Sequence, residues 1–156
     1  MIRGIHHVAL LTGDFDRLLA FYRDVVGGEL VHEREWGEGD DLALLGRVTG
    51  IGGEPRLRSA ILRVGNAFVE IQHYRVPAGD GDPSAYGAQD FGIRHFALDV
   101  TEIEAEVERL AAAGMRFAGP VQQPSSRIKS IYGRDPDGNT VELQELLVPD
   151  SPLAIA

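Results

Sequence analysis

The chain has no cysteine in its 156 residues, which removes disulfides, thiolate metal sites and cysteine nucleophiles together. Any metal must then be held by nitrogen and oxygen donors. Long hydrophobic runs are missing too, and nothing approaches the roughly 18 consecutive apolar residues of a membrane helix. The N-terminus, MIRGIHHVALL, lacks the apolar core and cleavage site of a signal peptide, so a cytoplasmic location is expected. Basic residues are in deficit, with 15 Lys and Arg against 24 Asp and Glu. The resulting formal charge of -9 argues against nucleic acid as a partner, because phosphate contacts need a basic surface.

What the chain does contain is an internal repeat. Residues 5–13, IHHVALLTG, read as a strand, and Asp14 can cap the helix that follows. The apolar residues Phe15, Leu18, Leu19, Tyr22 and Val26 recur at three- and four-residue spacing, and Gly27 with Gly28 supplies a stop. The second half repeats this order: IRHFALDV as a strand, then TEIEAEVERLAAAG as a helix. Thr101 with Glu104 predicts a capping box there, and Gly114 a helix end. Aligning HVALLTGDFDRLLAFYRDVVGGEL with HFALDVTEIEAEVERLAAAGMRF places His7 on His95.

Three strand-like segments follow each helix. In the first half these are ELVHERE, SAILRV and AFVEIQHY, with a turn at Gly65–Asn66. In the second they are MRFAG, RIKSIYGRD and NTVELQELL, with a hairpin signal at Asp137–Gly138. Each half reads β-α-β-β-β, which places the chain in the α+β class. The expected organisation is a single domain over 1–150, with module one at 4–76, a linker at 77–91 and module two at 92–148. A flexible tail follows at 149–156. The Gly- and Arg-bearing stretch 46–58 reads as a loop.

The doubling carries the chemistry. Each half contributes one histidine early in its first strand and one carboxylate on its last. Glu70 stands between Val69 and Ile71, and Glu142 between Val141 and Leu143. With period-two alternation, each carboxylate points opposite to its apolar neighbours. An inward carboxylate is costly unless it meets a cation. Two imidazoles and two carboxylates at equivalent places, His7, Glu70, His95 and Glu142, suit one divalent Zn, Ni, Co, Mn or Fe ion with positions left for substrate. Gln72 shares the inward face with Glu70, whereas His6 and His73 are expected on the opposite side. Phe21 and Tyr22 read as helix core, and Asp135 and Asp137 as turn residues. Arg127, Lys129 and Arg134, like Arg47, Arg56 and Arg58, read either as solvated surface or as a basic rim for an anionic substrate.

At HHVALLTGDFDRLLAFYRDVVGGEL, GIRHFALDVTEIEAEVERLAAAG and YGRDPDGNTVELQE the chain resembles the vicinal oxygen chelate superfamily, over about residues 4–147. That superfamily includes glyoxalase I, methylmalonyl-CoA epimerase, extradiol dioxygenases and bleomycin-resistance proteins. The resemblance implies two βαβββ modules forming a U-shaped mixed sheet around a metal cleft, and commonly a homodimer. It implies His7, Glu70, His95 and Glu142 as ligands of a divalent metal ion, with His7 rather than His6 in the set. The ligand pattern is most similar to that of glyoxalase I and the epimerase. Such a site implies a lyase or isomerase acting on a small molecule with vicinal oxygens, stabilising an enediolate or enolate. Glu142 and Glu70 are then the candidate bases, with Glu33 and Glu35 as alternatives, and Gln72 and Arg127 are candidate substrate contacts. Two alternatives stay open. An extradiol-type non-haem iron dioxygenase would use His7, His95 and Glu142, although Glu70 fills a position it needs. A sequestering protein of the resistance type would bind a small ligand without turnover.

Overall fold

Alternation along one strand sets the first sheet. In the computed structural model, which describes residues 1–37 and 41–155, strand β4 (Ala67–Val76) buries Val69 and Ile71 on one face. Phe68, Glu70, Gln72 and Tyr74 are left on the other. Strand β1 (His7–Leu11) runs parallel to β4, β3 (Arg56–Val64) is antiparallel to it, and β2 (Glu29–Trp36) is antiparallel to β3. The order is therefore β1-β4-β3-β2. Helix α1 (Phe15–Ala20) continues into a π-helical turn, Phe21–Val25. Its Phe15, Leu18, Leu19, Phe21 and Tyr22 are all buried, as are Ala60, Leu62, Val69 and Ile71 of the sheet. Each large side chain so buried stabilises the unit by roughly 1.5–3 kcal/mol. Asp14 caps α1 as expected, accepting from Arg17 N at 3.3 Å.

The chain divides into two compact units, Met1–Gly81 and Asp82–Ala156. In the second, β5 (His95–Asp99) lies parallel to β9 (Thr140–Leu146), and β8 (Ile128–Arg134) is antiparallel to β9. The outer position is shared by two short strands on β8, β6 (Arg116–Phe117) and β7 (Gln122–Ser125). Helix α3 (Ile103–Ala112) buries Ile103 and Leu110. It ends where Gly114, at φ 102°, lets Met115 N reach Leu110 O at 3.0 Å. Across the chain, no helix among the described residues is long and apolar enough to cross a membrane.

Three sequence expectations are corrected. The stretch 46–58 is not one loop: a helix, α2 (Asp41–Thr49), covers its start, and β3 begins at Arg56. The segment MRFAG yields only Arg116–Phe117 as strand, and β7 is an additional strand. The Thr101–Glu104 capping box does not form. Glu102 starts α3 in the left-handed region at φ 55°, and its N–H donates to Glu145 Oε1 at 2.7 Å. Glu104 is held instead by Lys129 Nζ at 2.7 Å, an ion pair that turns its carboxylate toward β8.

Candidate active site

Register brings the predicted residues together in pairs. In β1–β4 the Cα partner of Glu70 is Ala9, so His7 sits two residues upstream on the neighbouring strand and on the same face. His7 Nε2 lies 3.4 Å from Glu70 Oε2. In β5–β9 the partner of Glu142 is Ala97, and His95 Nε2 lies 3.4 Å from Glu142 Oε2. The two units thus present the same pair at the same spacing. Glu70 and Glu142 keep only 14% and 15% of their side-chain surface exposed. Among the described residues neither carboxylate accepts a hydrogen bond, so each is a largely buried acidic group whose ion-pair partner is an imidazole.

This donor set fits a metal ion. Nitrogen and oxygen ligands each about 2.1 Å from one ion lie roughly 3.4 Å apart in tetrahedral geometry. Neutral imidazole with carboxylate is also a donor chemistry suited to divalent first-row metals. Among the described residues no group of three or more His, Asp and Glu is gathered closely enough to hold an ion; each unit offers a pair.

The family model described as Glyoxalase/Bleomycin resistance protein/Dioxygenase superfamily matches residues 4–143. The chain belongs to this superfamily. The lactoylglutathione lyase of Haemophilus influenzae is 33% identical over 145 residues, covering 90% of this chain and 91% of that protein. A 2-epi-5-epi-valiolone epimerase from Actinomyces sp is 26% identical over 148 residues, 92% of this chain and 79% of the epimerase. The crystal structure of a glyoxalase family protein from Bacillus cereus has the same fold, with a TM-score of 0.84 at 21% identity, covering 95% and 97% of the two chains.

Around the pairs of this superfamily member, several expectations change. His6 does not lie on the far side of the strand: its Nδ1 is 3.0 Å from His7 Nδ1, and its ring stacks on Phe68 at 5.0 Å. Glu33 and Glu35 are not beside Glu70. Their partners on β3 are Ala60 and Arg58, on the opposite face, and Glu33 is held by Arg58 at 2.7 Å. Arg58 also reaches Asp16 at 2.9 Å and lies over the Phe15 ring, so it braces α1 rather than a rim. Lys129 pairs with Glu104 on the helix side. Arg134 donates to the carbonyls of Pro83, Gly138 and Tyr86. Gln72 does share the Glu70 face, beside Ser59 and Leu11, and His73 takes the opposite one with Arg58. Arg127 stands between β7 and β8, its N–H donating to Ser125 Oγ at 3.2 Å.

Three residues near the pairs escaped the sequence reading. Tyr132 is the direct partner of Glu142 across β8–β9, with its hydroxyl 3.5 Å from His95 Nε2. Burial, then the Glu142 charge, pushes its phenol pKa up. Tyr74, on the Glu70 face, is raised likewise by burial and then by Glu70. Both are neutral donors at physiological pH. Gln144 repeats Gln72 two residues beyond its glutamate, a signal already present in FVEIQ against TVELQ.

Proposed function

We propose that the chain is a divalent-metal-dependent lyase or isomerase of the glyoxalase/epimerase type, acting on a small molecule with vicinal oxygens. The observation that carries this reading is the repeated His–Glu pair: the same register, the same 3.4 Å spacing, and carboxylates with no hydrogen-bond donor among the described residues. His7, Glu70, His95 and Glu142 together would hold one ion. When bound, that ion supplies Lewis acidity toward two adjacent substrate oxygens.

The protein's own residues do the rest. Glu142 or Glu70 takes and returns a proton at the carbon beside the substrate carbonyl, a role suited to carboxylates that are largely buried beside an imidazole. Gln72 offers an amide on the Glu70 face for a substrate oxygen, and Arg127 a cation for an anionic group. Support also comes from relatives named as a lactoylglutathione lyase and an epimerase. A homodimer in the cytoplasm belongs to the same proposal.

Elemental analysis after loading with Zn, Ni, Co, Mn or Fe(II) tests the site. One ion per chain, lost in His95→Ala and Glu142→Ala, is expected; a wild type without stoichiometric metal overturns the reading. Exchange of solvent deuterium alpha to a carbonyl, without oxygen, is the expected activity. Oxygen uptake with catechols would instead make the protein a dioxygenase, and tight ligand binding with neither activity would make it a sequestering protein.

A further inference from the structure

The two half-sites match in His, Glu and spacing, but not in what holds the histidine from behind. His7 points Nε2 at Glu70, and its other ring nitrogen, Nδ1, is 3.0 Å from Nδ1 of His6. The two rings meet edge to face at 5.2 Å. The His6 ring in turn lies nearly parallel to Phe68, with centroids 5.0 Å apart and planes 21° apart. Phe68 is the register partner of His7 on β4 and also carries the Arg63 guanidinium 5.2 Å from its ring centre. His6 is thus fixed by an aromatic stack from the strand that bears Glu70. In the second unit, the residue preceding the histidine is Arg94, whose guanidinium lies over Tyr86 at 4.9 Å. Among the described residues nothing hydrogen-bonds to His95 Nδ1.

The geometry points to His6 as the positioning residue for His7: its imidazole accepts the Nδ1–H of His7, fixing the tautomer and ring angle that leave the His7 Nε2 lone pair aimed beside Glu70. The inference rests on the reading of His7 as a metal ligand. A ligating imidazole is characteristically steadied through its second nitrogen by a carboxylate, a carbonyl or water. Here a second imidazole fills that place. Its neutral form carries one acceptor and one donor nitrogen, so accepting at Nδ1 leaves His6 Nε2–H directed away from His7. The stack on Phe68 supplies the rigidity that an exposed side chain otherwise lacks. Preorganisation of this kind acts on affinity for the ion, because the unbound ring would sample other angles and the competing tautomer.

Titration of Co(II) into the metal-free protein, followed by its visible absorption, tests this directly. His6→Ala is expected to weaken Co(II) binding by about 10–100-fold, the cost of losing an outer partner, while the absorption spectrum of the saturated protein keeps its shape. His6→Asn, whose amide oxygen can accept in place of Nδ1, is expected to restore most of the affinity. His7→Ala should lose more affinity and alter the spectrum. Affinity unchanged in His6→Ala overturns the inference. So does a His6→Asn variant as weak as His6→Ala, which would make the stack rather than the hydrogen bond responsible. A His6→Ala variant matching His7→Ala in affinity and spectrum overturns it as well, by making His6 itself a ligand. If the wild type binds Co(II) normally in these cases, the metal site stands and only the role of His6 falls. A wild type that takes up no Co(II) removes the site and this inference with it.

Discussion

Tyr132 stands directly opposite Glu142 across β8–β9, and the same position in the first unit, opposite Glu70, is Ile61. The duplicated pairs therefore sit in different surroundings. One has a phenol whose hydroxyl is 3.5 Å from the histidine nitrogen facing the glutamate, and the other has a branched hydrocarbon. Each glutamate raises the pKa of a nearby phenol, but Tyr132 faces Glu142 directly across the strands whereas Tyr74 stands further along the strand of Glu70, so the two glutamates are not equivalent.

Tyr132→Phe should leave metal content intact and lower turnover by roughly tenfold, the worth of about one hydrogen bond to a reacting group. The ring stays and keeps its packing against His95, at 4.9 Å between centroids, so the loss reports the hydroxyl. Steady-state kinetics alongside metal analysis would check this, and unchanged turnover would remove Tyr132 from the chemistry.

The carboxylates should be unfavourable to the fold until a cation arrives. In chelator-treated protein near pH 8, Glu142→Gln is expected to raise stability by about 1 kcal/mol, since it removes a partly buried charge without a donor. At this chain length that is a rise in Tm of about 2–4 °C. With metal added the order should reverse, because binding to the native wild type now contributes. Calorimetry with and without metal distinguishes the two regimes; a Gln variant less stable in both would contradict the account.

Asp135 ties the fold to the site. Fully buried, it accepts from Asp137 N, Asn139 N and Asn139 Nδ2 at 3.0, 2.9 and 2.9 Å, shaping the turn that sets Tyr132 against Glu142. Asp135→Ala strands these donors and should destabilise the chain by about 3 kcal/mol. Urea unfolding would measure it, with metal affinity falling in parallel as the register loosens.

Acid should weaken the face of the second unit that α3 covers. The hydrogen bond from Lys129 holds Glu104 below the usual carboxylate range, and that from Arg109 does the same for Glu106. Lowered values in the folded state mean stability that is present above the unfolded carboxylate pKa, about 4.3, and lost as pH falls through the lowered values. A Glu104→Gln/Glu106→Gln variant should be less stable than wild type at pH 7 and converge with it by about pH 3. A constant gap across that range would show that these contacts are not what titrates.

The repeat was readable because strand, helix and strand followed in the same order twice, and aligning His7 with His95 anticipated two equal registers. The buried helix face was readable for a similar reason: Phe15, Leu18, Leu19 and Tyr22 recur at helical spacing, and all four are buried. Other features depend on pairing across strands, which a linear pattern does not contain. Tyr132 became a neighbour of Glu142 only through the β8–β9 register, and Glu33 left consideration only through its pairing with Ala60. Helix α2 was obscured by Gly46 and Gly50, which read as loop residues although Leu45 between them and the helix start is buried. His6 was misassigned by strict alternation. It precedes the first paired residue of β1, so the pleat does not govern its direction.

The outer edges of the two sheets differ in a way that bears on behaviour at high concentration. Strand β2 offers eight residues along its free side, interrupted by an irregularity between Leu30 and His32 and lined with Glu29, Glu33 and Glu35. The corresponding side of the second sheet is broken into two residues and four, with Gly119 and Pro120 in between. A foreign strand seeking to pair on that side would find only short, interrupted runs to template on, and on β2 it would meet a distortion and like charges. The split that looks like an imperfect copy of the first half thereby makes this side of the sheet a poor template for strand addition.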